Sequence, residues 1–507
     1  MNLSPLRIRL LVAALFTVSF LGALDHTIVS TSLATIAGEL DALAHMSWIV
    51  VAYTLASTVL MPVIGRLGDT VGARLVFLVS LAVFLIASLA CGFAPDIGWL
   101  IAARVVQGIG SAGLHLMSQT IVAHITTPRQ RARYMSVIGA AFPVAILAGP
   151  VLGGLIVDTW GWPWVFWMNL PLGGAALAFA AFVLPHVESG AARGRIDVLG
   201  AVTFAIGMVA LVLAVTWAAE PAMAAPAVVA GVCAVAGFAA FLAVELRAGH
   251  PLVPLRLFAD RRMAASTALS AIIGIGLFSV TAYLPTFFQL AYRTSATVSG
   301  LVPIATVFGM LVSSLLSGWL VGRSGRYRRF AITGPLLAAA GLAAMSVLPL
   351  GLPLWVPMAL MALVGVGTGL FMSLVVAVAQ SSAPRSATGA ATAAVNLVRQ
   401  IGSTVGTAVI GGVIGTGIAR LVPASAGLTP HEVHAAPAAV QAEVAAAYAA
   451  VLGPVFGALA LVYAAGFAVA LLLPPGRLSD EQRDVVPPVR GDAVSQAAGR
   501  PSLEETP

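Results

Sequence analysis

The sequence predicts an all-α integral membrane protein with fourteen spans, and three observations lead there. Of its 507 residues, 60% are hydrophobic and only 9% charged, for a mean hydropathy of +1.00. Apolar runs of about 20 residues, the length at which a helix crosses a hydrocarbon core, recur along the chain with polar gaps between them. All 26 basic residues are arginine, and they fall almost entirely in alternate gaps.

Taken in order, the apolar cores lie at about 10–36, 47–65, 75–93, 98–124, 135–157, 164–185, 198–218, 224–244, 264–290, 298–321, 330–350, 354–380, 388–416 and 449–473. Cytoplasmic loops of membrane proteins carry the excess of positive charge, so the arginines test this count. Arg7 and Arg9 precede the first span, sixteen more follow even-numbered spans, and Arg477, Arg483, Arg490 and Arg500 follow the last, which puts 22 of 26 on one side. Both termini are therefore expected in the cytoplasm. Arg293 and Arg420 fall outside, and Arg104 and Arg399 lie within spans. The net charge of +7 is scattered over short loops rather than gathered on one face, so no nucleic-acid partner is expected.

The first run, with Arg7 and Arg9 before it, has the outline of a secretory signal, but it is too long and continues past Asp25, so it is read as a span. Cys91 and Cys233 both fall in spans and imply no disulfide framework. From Pro474 the chain turns rich in Pro, Gly, Ser and charge, and a disordered cytoplasmic tail is expected over 476–507. Residues 417–448 form one long outward loop. Within it Thr429, Pro430 and Glu432 supply a cap, a first-turn proline and a third-position acid, which predicts a short helix.

An internal repeat organises the spans. Gly65-Arg-Leu67-Gly-Asp69-Thr-Val-Gly72-Ala-Arg74 follows the second, and Gly318-Trp-Leu320-Val-Gly322-Arg-Ser-Gly325-Arg-Tyr-Arg328 follows the tenth, at an offset of 253 residues (318 − 65). Spans one to six then correspond to nine to fourteen. The expected domains are a six-helix bundle over 1–190, an inserted helix pair over 191–262 and a second six-helix bundle over 263–475. Parallel six-span repeats of this kind hold substrate near the midplane and rock about it.

With these residues in place, the chain over about 8–475 resembles the major facilitator superfamily, specifically its fourteen-span drug:proton antiporter branch. Leu24-Asp25-His-Thr27-Ile-Val29 is similar to that branch's first-helix motif, although Ser30 and Ala34 stand where asparagine and proline are usual. Gly65 to Arg74 resembles the signature between spans two and three. Arg104-Val-Val-Gln107-Gly108-Ile-Gly110 is similar to the fourth-span motif. Gly149-Pro150-Val-Leu-Gly153-Gly154 matches the core of the fifth-span antiporter motif, with Ser136 and Ala145 in place of upstream glycines. Trp162 to Phe166 with Asn169 and Pro171 also resembles the branch, with Pro163 in place of an arginine. The resemblance implies a major facilitator fold arranged 6+2+6, working as a proton-driven multidrug exporter.

Asp25 is the only carboxylate within the fourteen cores. A charge at that depth costs about 2.5–3.5 kcal/mol on insertion scales and is generally kept for function. Burial disfavours the charged form of a carboxylate, so Asp25 is expected to bind and release the coupling proton. The alternative is a structural carboxylate held permanently by a cation. Arg104 stays protonated and needs a cavity, water or a negative partner, for which Asp25 is the candidate; the resemblance implies that it assists proton movement. His115 lies eleven residues on, three helical turns along the same face, and is a candidate for proton or substrate contact, or else a packed hydrogen-bonding residue. Gly149, Pro150, Gly153 and Gly154 permit close packing and a bend; the resemblance makes them a hinge and seal. Gly65, Asp69, Gly72 and Arg74 are the gating candidates, with Asp69 placed to cap a helix or pair with an arginine. Gln107, Tyr283, Gln289, Asn396, Arg399 and Gln400 are candidates for the substrate cavity, or for ties between helices.

No carboxylate occurs between Asp260 and Glu432, so the second bundle offers no acid to a dication. The expected substrate is a neutral, amphiphilic or singly charged small molecule exported from the cytoplasm, with proton-coupled import of a metabolite as the alternative. No metal-ligand cluster, nucleophile and base arrangement or phosphate-binding loop is visible, which argues against an enzyme, and no charged ring or repeated filter argues for a channel. No cofactor is expected beyond the proton gradient. The expected setting is a bacterial inner membrane and the expected state a monomer.

Overall fold

The computed structural model describes residues 4–42, 45–184, 197–218, 223–349, 351–423 and 430–478. Among them there is no strand. Fourteen long helices account for most of the chain: α1 (Pro5–Glu39), α2 (Met46–Leu67), α3 (Ala73–Gly92), α4 (Ile97–Ile125), α5 (Pro128–Trp160), α6 (Pro163–Val183), α7 (Val198–Ala218), α8 (Ala224–Arg247), α9 (Arg261–Ala291), α10 (Ala296–Ser324), α11 (Arg328–Ser346), α12 (Trp355–Ser382), α13 (Thr388–Leu421) and α14 (Ala438–Leu471).

Their starts follow from local chemistry. Asp96 accepts a hydrogen bond from the Trp99 amide at 2.8 Å and opens α4; Thr127 caps α5 with Pro128 behind it; Asp260 takes the Arg262 and Met263 amides at the head of α9. Such caps satisfy amides that have no partner inside the helix. Residues 46–92 are helical without interruption, which at 1.5 Å per residue would extend about 70 Å, over twice a bilayer core. Gly72, at φ 104, breaks them into α2 and α3; a side chain is rarely accommodated there. Pro430–Ala435 form the short helix expected in the long loop, while Thr429 lies outside the described residues, as does the tail from 479.

The ends of the helices bearing most arginines form one face, called here the arginine-rich face. The repeat appears in three dimensions at that face. Where α2 ends, an added Cβ on Gly65 would meet Ala393 Cβ at 2.7 Å and Gly389 O at 2.9 Å on α13. Where α10 ends, Gly318 abuts Ser136 and Ala132 O on α5. The offset between Ser136 and Gly389 is again 253 (389 − 136), so the two contacts are equivalent by the same register. Gly65→Leu is accordingly expected to wedge α2 from α13 and open this face, read as increased alkylation of a cysteine introduced at Gln119.

The two bundles meet along α2 with α13 and along α5 with α10 and α12, and α5 makes these contacts chiefly through Pro128–Gly139. Residues 388–397 of α13 are all buried, whereas Val405, Val409, Gly412 and Val413 further along are exposed. Ser30, Thr31, Ala34 and Thr35 of α1 are exposed as well. The bundles therefore close on the arginine-rich face and part on the opposite one. The inserted pair α7 and α8 packs on itself through Gly207 against Gly237 and Phe238. Through α7 it rests mainly on α2 and also on α13. Helix α8 runs past the expected end and includes a buried carboxylate beyond the expected core, Glu245, which accepts the Leu252 and Val253 amides at 3.0 and 3.2 Å.

Candidate functional site

Asp25 lies on α1, 1% exposed, and Arg104 on α4 is fully buried. They form an ion pair, Arg104 Nη1 donating to Asp25 Oδ2 at 2.6 Å. The second carboxylate oxygen, Oδ1, accepts from Gln107 Nε2 at 2.9 Å and Asn169 Nδ2 at 3.0 Å. Gln107 in turn accepts from Arg104 Nη1 at 2.7 Å and donates to Ser88 Oγ at 2.8 Å. Arg104 Nε donates to Ile49 O at 3.1 Å, and its guanidinium sits 4.1 Å over the Tyr53 ring. Helices α1, α2, α3, α4 and α6 thus all contribute to one polar knot in an apolar bundle. Arg104 Nη2 is buried without a hydrogen-bond acceptor.

Three donors converge on Asp25, and Arg104 gains stacking on Tyr53 and Phe166. Adding a proton would cancel the charge on which Arg104 depends. Breaking one side of a buried pair typically costs about 3–5 kcal/mol, because the other charge is left uncompensated.

Beside the knot is a cavity of about 200 Å³ between the two bundles. His26, the residue after Asp25, lines it, and so does Tyr53, whose hydroxyl donates to Ser111 Oγ at 2.5 Å. Met61, Met135, Phe142, Phe278 and Met372 supply apolar wall. Phe278 closes a π-helical turn, Gly274–Phe278, in α9, and Phe142 and Phe278 meet across the bundles with ring centroids 5.6 Å apart. Such turns recur at functional sites because they redirect side chains within a helix.

The polar wall links the bundles. Arg399 Nη2 donates to Asn396 Oδ1 at 2.7 Å, Asn396 Nδ2 to Gln119 Oε1 at 2.8 Å, and Gln119 Nε2 lies 3.1 Å from His115 Nε2. Asn396, Arg399, Gln400 and His115 all line the cavity. Three other cavity candidates, Gln107, Tyr283 and Gln289, are placed outside its wall. Gln107 is sealed inside the ion-pair knot because its amide is consumed by Asp25, Arg104 and Ser88. Tyr283 turns its hydroxyl onto Thr407 O at 3.0 Å, tying α9 to α13. Gln289, near the end of α9, is half-buried outside the cavity wall.

On the arginine-rich face Asp69 is buried and accepts the amides of Gly389 and Ala390 at 2.7 and 2.8 Å, capping α13 of the other bundle. Arg74 donates to Ala181 O at 2.5 Å rather than pairing with Asp69. In the second copy Gly322 replaces the acid, and Arg129 Nε donates to its carbonyl at 3.2 Å and also reaches Arg323 O. Gly149 packs on Thr27, and Gly153 on Thr31 and Ile28, joining α5 to α1 within two turns of Asp25. Pro150 is exposed, and Gly154 has no neighbour within 4 Å of an added Cβ, so these two do not belong to that contact. Sequence reasoning did not single out His26, Ser88, Gln119 or Tyr53, and it quoted Asn169 only within a motif. The available signal was polarity alone within an apolar span.

The profile of the Major Facilitator Superfamily matches residues 15–407. Over 362 residues the chain is 34% identical to the Multidrug transporter protein MdtP of Bacillus subtilis, covering 71% of this chain and 66% of that one. Over 375 residues it is 31% identical to the Efflux pump FUS6 of Gibberella moniliformis, covering 71% of this chain and 66% of that one. A match to the Uncharacterized MFS-type transporter Rv1877 of Mycobacterium tuberculosis, 34% identical, spans 68% of this chain and half of the relative's length. The chain thus spans just under two thirds or less of these relatives. Among solved structures, the human organic anion transporter MFSD10 superposes with a TM-score of 0.64 at 16% identity, covering 92% of this chain and 100% of that one. The proton:xylose symporter XylE superposes at 0.61 with 13% identity, covering 94% and 97%. These two share the fold.

Proposed function

Because the chain belongs to the Major Facilitator Superfamily and is thereby a multi-pass membrane transporter, we propose that it exports small amphiphilic compounds in exchange for protons by alternating access. The arginine-rich face is taken as cytoplasmic, with both termini there and the chain in a bacterial inner membrane as a monomer. The closed face is then the inner one, and the cavity opens outward.

The observation that carries this reading is the fully buried Asp25–Arg104 pair one residue from the cavity wall. A proton arriving from outside by way of His26 neutralises Asp25 and strips Arg104 of its counter-charge. The guanidinium already lies on the Tyr53 ring, and Tyr53 lines the cavity, so protonation loosens that wall and favours the return to the inward-open state. Loss of the proton to the cytoplasm restores the pair and readies the cavity again. Energy comes from the proton gradient, and the names MdtP and FUS6 carry for their own proteins, multidrug transporter and efflux pump, are in keeping with export.

Inverted membrane vesicles with an acid interior test the direction: substrate addition is expected to dissipate the gradient, whereas metabolite import with protons would leave it standing. No acidic side chain lines the cavity. Dicationic amphiphiles are therefore expected to give no proton flux and no resistance, and a dication exported in an Asp25-dependent way would contradict the scheme.

A further inference from the structure

The cavity has a charge of its own that the exchange mechanism does not use. Arg399 lies in the first half of α13 and lines the cavity from the second bundle. Its Nη2 is committed to Asn396 Oδ1 at 2.7 Å and its Nε to Ser270 Oγ at 3.3 Å. Among the described residues Nη1 has no protein acceptor, yet it is not sealed from space as Arg104 Nη2 is. No carboxylate answers it. Asp25 is spent on Arg104, the second bundle has no acid between Asp260 and Glu432, and Arg104 with Asp25 is the one ion pair within 4.0 Å among the described residues. A guanidinium that keeps its charge at membrane depth needs an anion, and the protein leaves that place open.

We infer that the ligand of this cavity is a monoanionic amphiphile whose carboxylate binds Arg399 Nη1 while its apolar body lies among Met61, Met135, Phe142, Phe278 and Met372. The inference rests on reading the cavity as the substrate site and names the substrate class. Arginine suits the task because its planar fork presents directed donors to a carboxylate. Arg399 is also held in place from behind: Asn396, which accepts from Nη2, itself donates to Gln119 on α4. A ligand on Nη1 therefore docks against the clasp between the two bundles, where its arrival bears on whether they separate. Exporting a monoanion for one proton moves two charges in the same electrical sense, so the exchange is driven by an inside-negative potential as well as by the pH difference.

Three probes of one size decide the matter: naphthylacetate, naphthylacetamide and naphthylethylammonium, titrated into the purified full chain by calorimetry. The expected order is acid, then amide, then ammonium, with the acid binding about tenfold or more tighter than the amide, as a charge-assisted hydrogen bond warrants. Arg399→Gln is expected to bring the acid down to the affinity of the amide while leaving the amide unchanged. Arg399→Lys keeps the positive charge and is expected to retain part of the preference, which guards against a folding defect in the glutamine variant. Equal binding of acid and amide, tightest binding of the ammonium, or a preference that survives Arg399→Gln would each overturn the anion site and leave the cavity as a substrate site for other compounds. Failure of all three probes to bind would overturn the cavity reading itself.

Discussion

Asp25→Asn is expected to abolish proton-coupled transport while leaving ligand binding in the cavity. Asparagine keeps the shape and can still accept from Gln107 or Asn169, but it carries no charge and takes up no proton. In proteoliposomes, substrate-induced proton flux should fall to the level of protein-free vesicles. Binding of the naphthyl probes, which do not touch Asp25, should change by no more than about threefold, a difference under 1 kcal/mol. The same substitution leaves Arg104 buried with its counter-charge gone, a loss of about 3–5 kcal/mol, visible as a lower unfolding midpoint in detergent. Pairing it with Arg104→Gln removes the orphaned charge, so most of that stability should return while proton flux does not. This double-mutant comparison separates the structural share of the pair from its coupling role. A single variant that keeps full proton flux would remove Asp25 from the mechanism.

Asp69→Ala is expected to shift the equilibrium between closed and open arginine-rich faces by about 3 kcal/mol, more than a hundredfold. The estimate comes from two backbone amides at the start of α13, 2.7 and 2.8 Å from the carboxylate, which lose a charged acceptor in a place where the helix end favours negative charge. Asp69→Asn retains one carbonyl acceptor and should fall between. Spin labels at Leu75 and Ser324, both exposed on opposite bundles, would report the change as a longer distance population, with Cys233 replaced because it is exposed. An unchanged distribution in Asp69→Ala would show that Gly65 packing on α13 and the Arg129 contacts with Gly322 and Arg323 hold the face without it.

Much of the architecture was readable before any fold was seen. The seventh core expected at 198–218 coincides with α7, and the fourteen-helix count survives the continuous helix 46–92 because Gly72 turns it. The end of the eighth helix was less secure. Helix α8 extends to Arg247, and Glu245 is buried at its end because two amides of the following loop donate to its carboxylate.

Assignment of polar residues to the cavity is where sequence reasoning divided. Asn396, Arg399 and Gln400 line it, whereas Gln107, Tyr283 and Gln289 do not. Spacing along a helix tells which residues share a face, but in a bundle surrounded by lipid every face is apolar, so no contrast marks the face that points inward. Gln107 and Asn396 look alike as lone amides in apolar runs. Their neighbours, drawn from helices far apart in the chain, make one a ligand of Asp25 and the other a clasp to Gln119.

The sequence by itself determined the class of protein, the number of long apolar helices, the alternation of the arginines along the chain and the rarity of a membrane carboxylate. Each of these follows from transfer energies summed over contiguous residues, and such sums need no knowledge of packing. Only the tertiary structure decided that Asp25 is closed off by Arg104, Gln107 and Asn169, that Asp69 caps a helix of the opposite bundle, and that Arg399 stands in the cavity with a donor to spare. Those facts depend on contacts between residues scores to hundreds of positions apart, whose hydrogen-bond geometry is set by how fourteen helices pack.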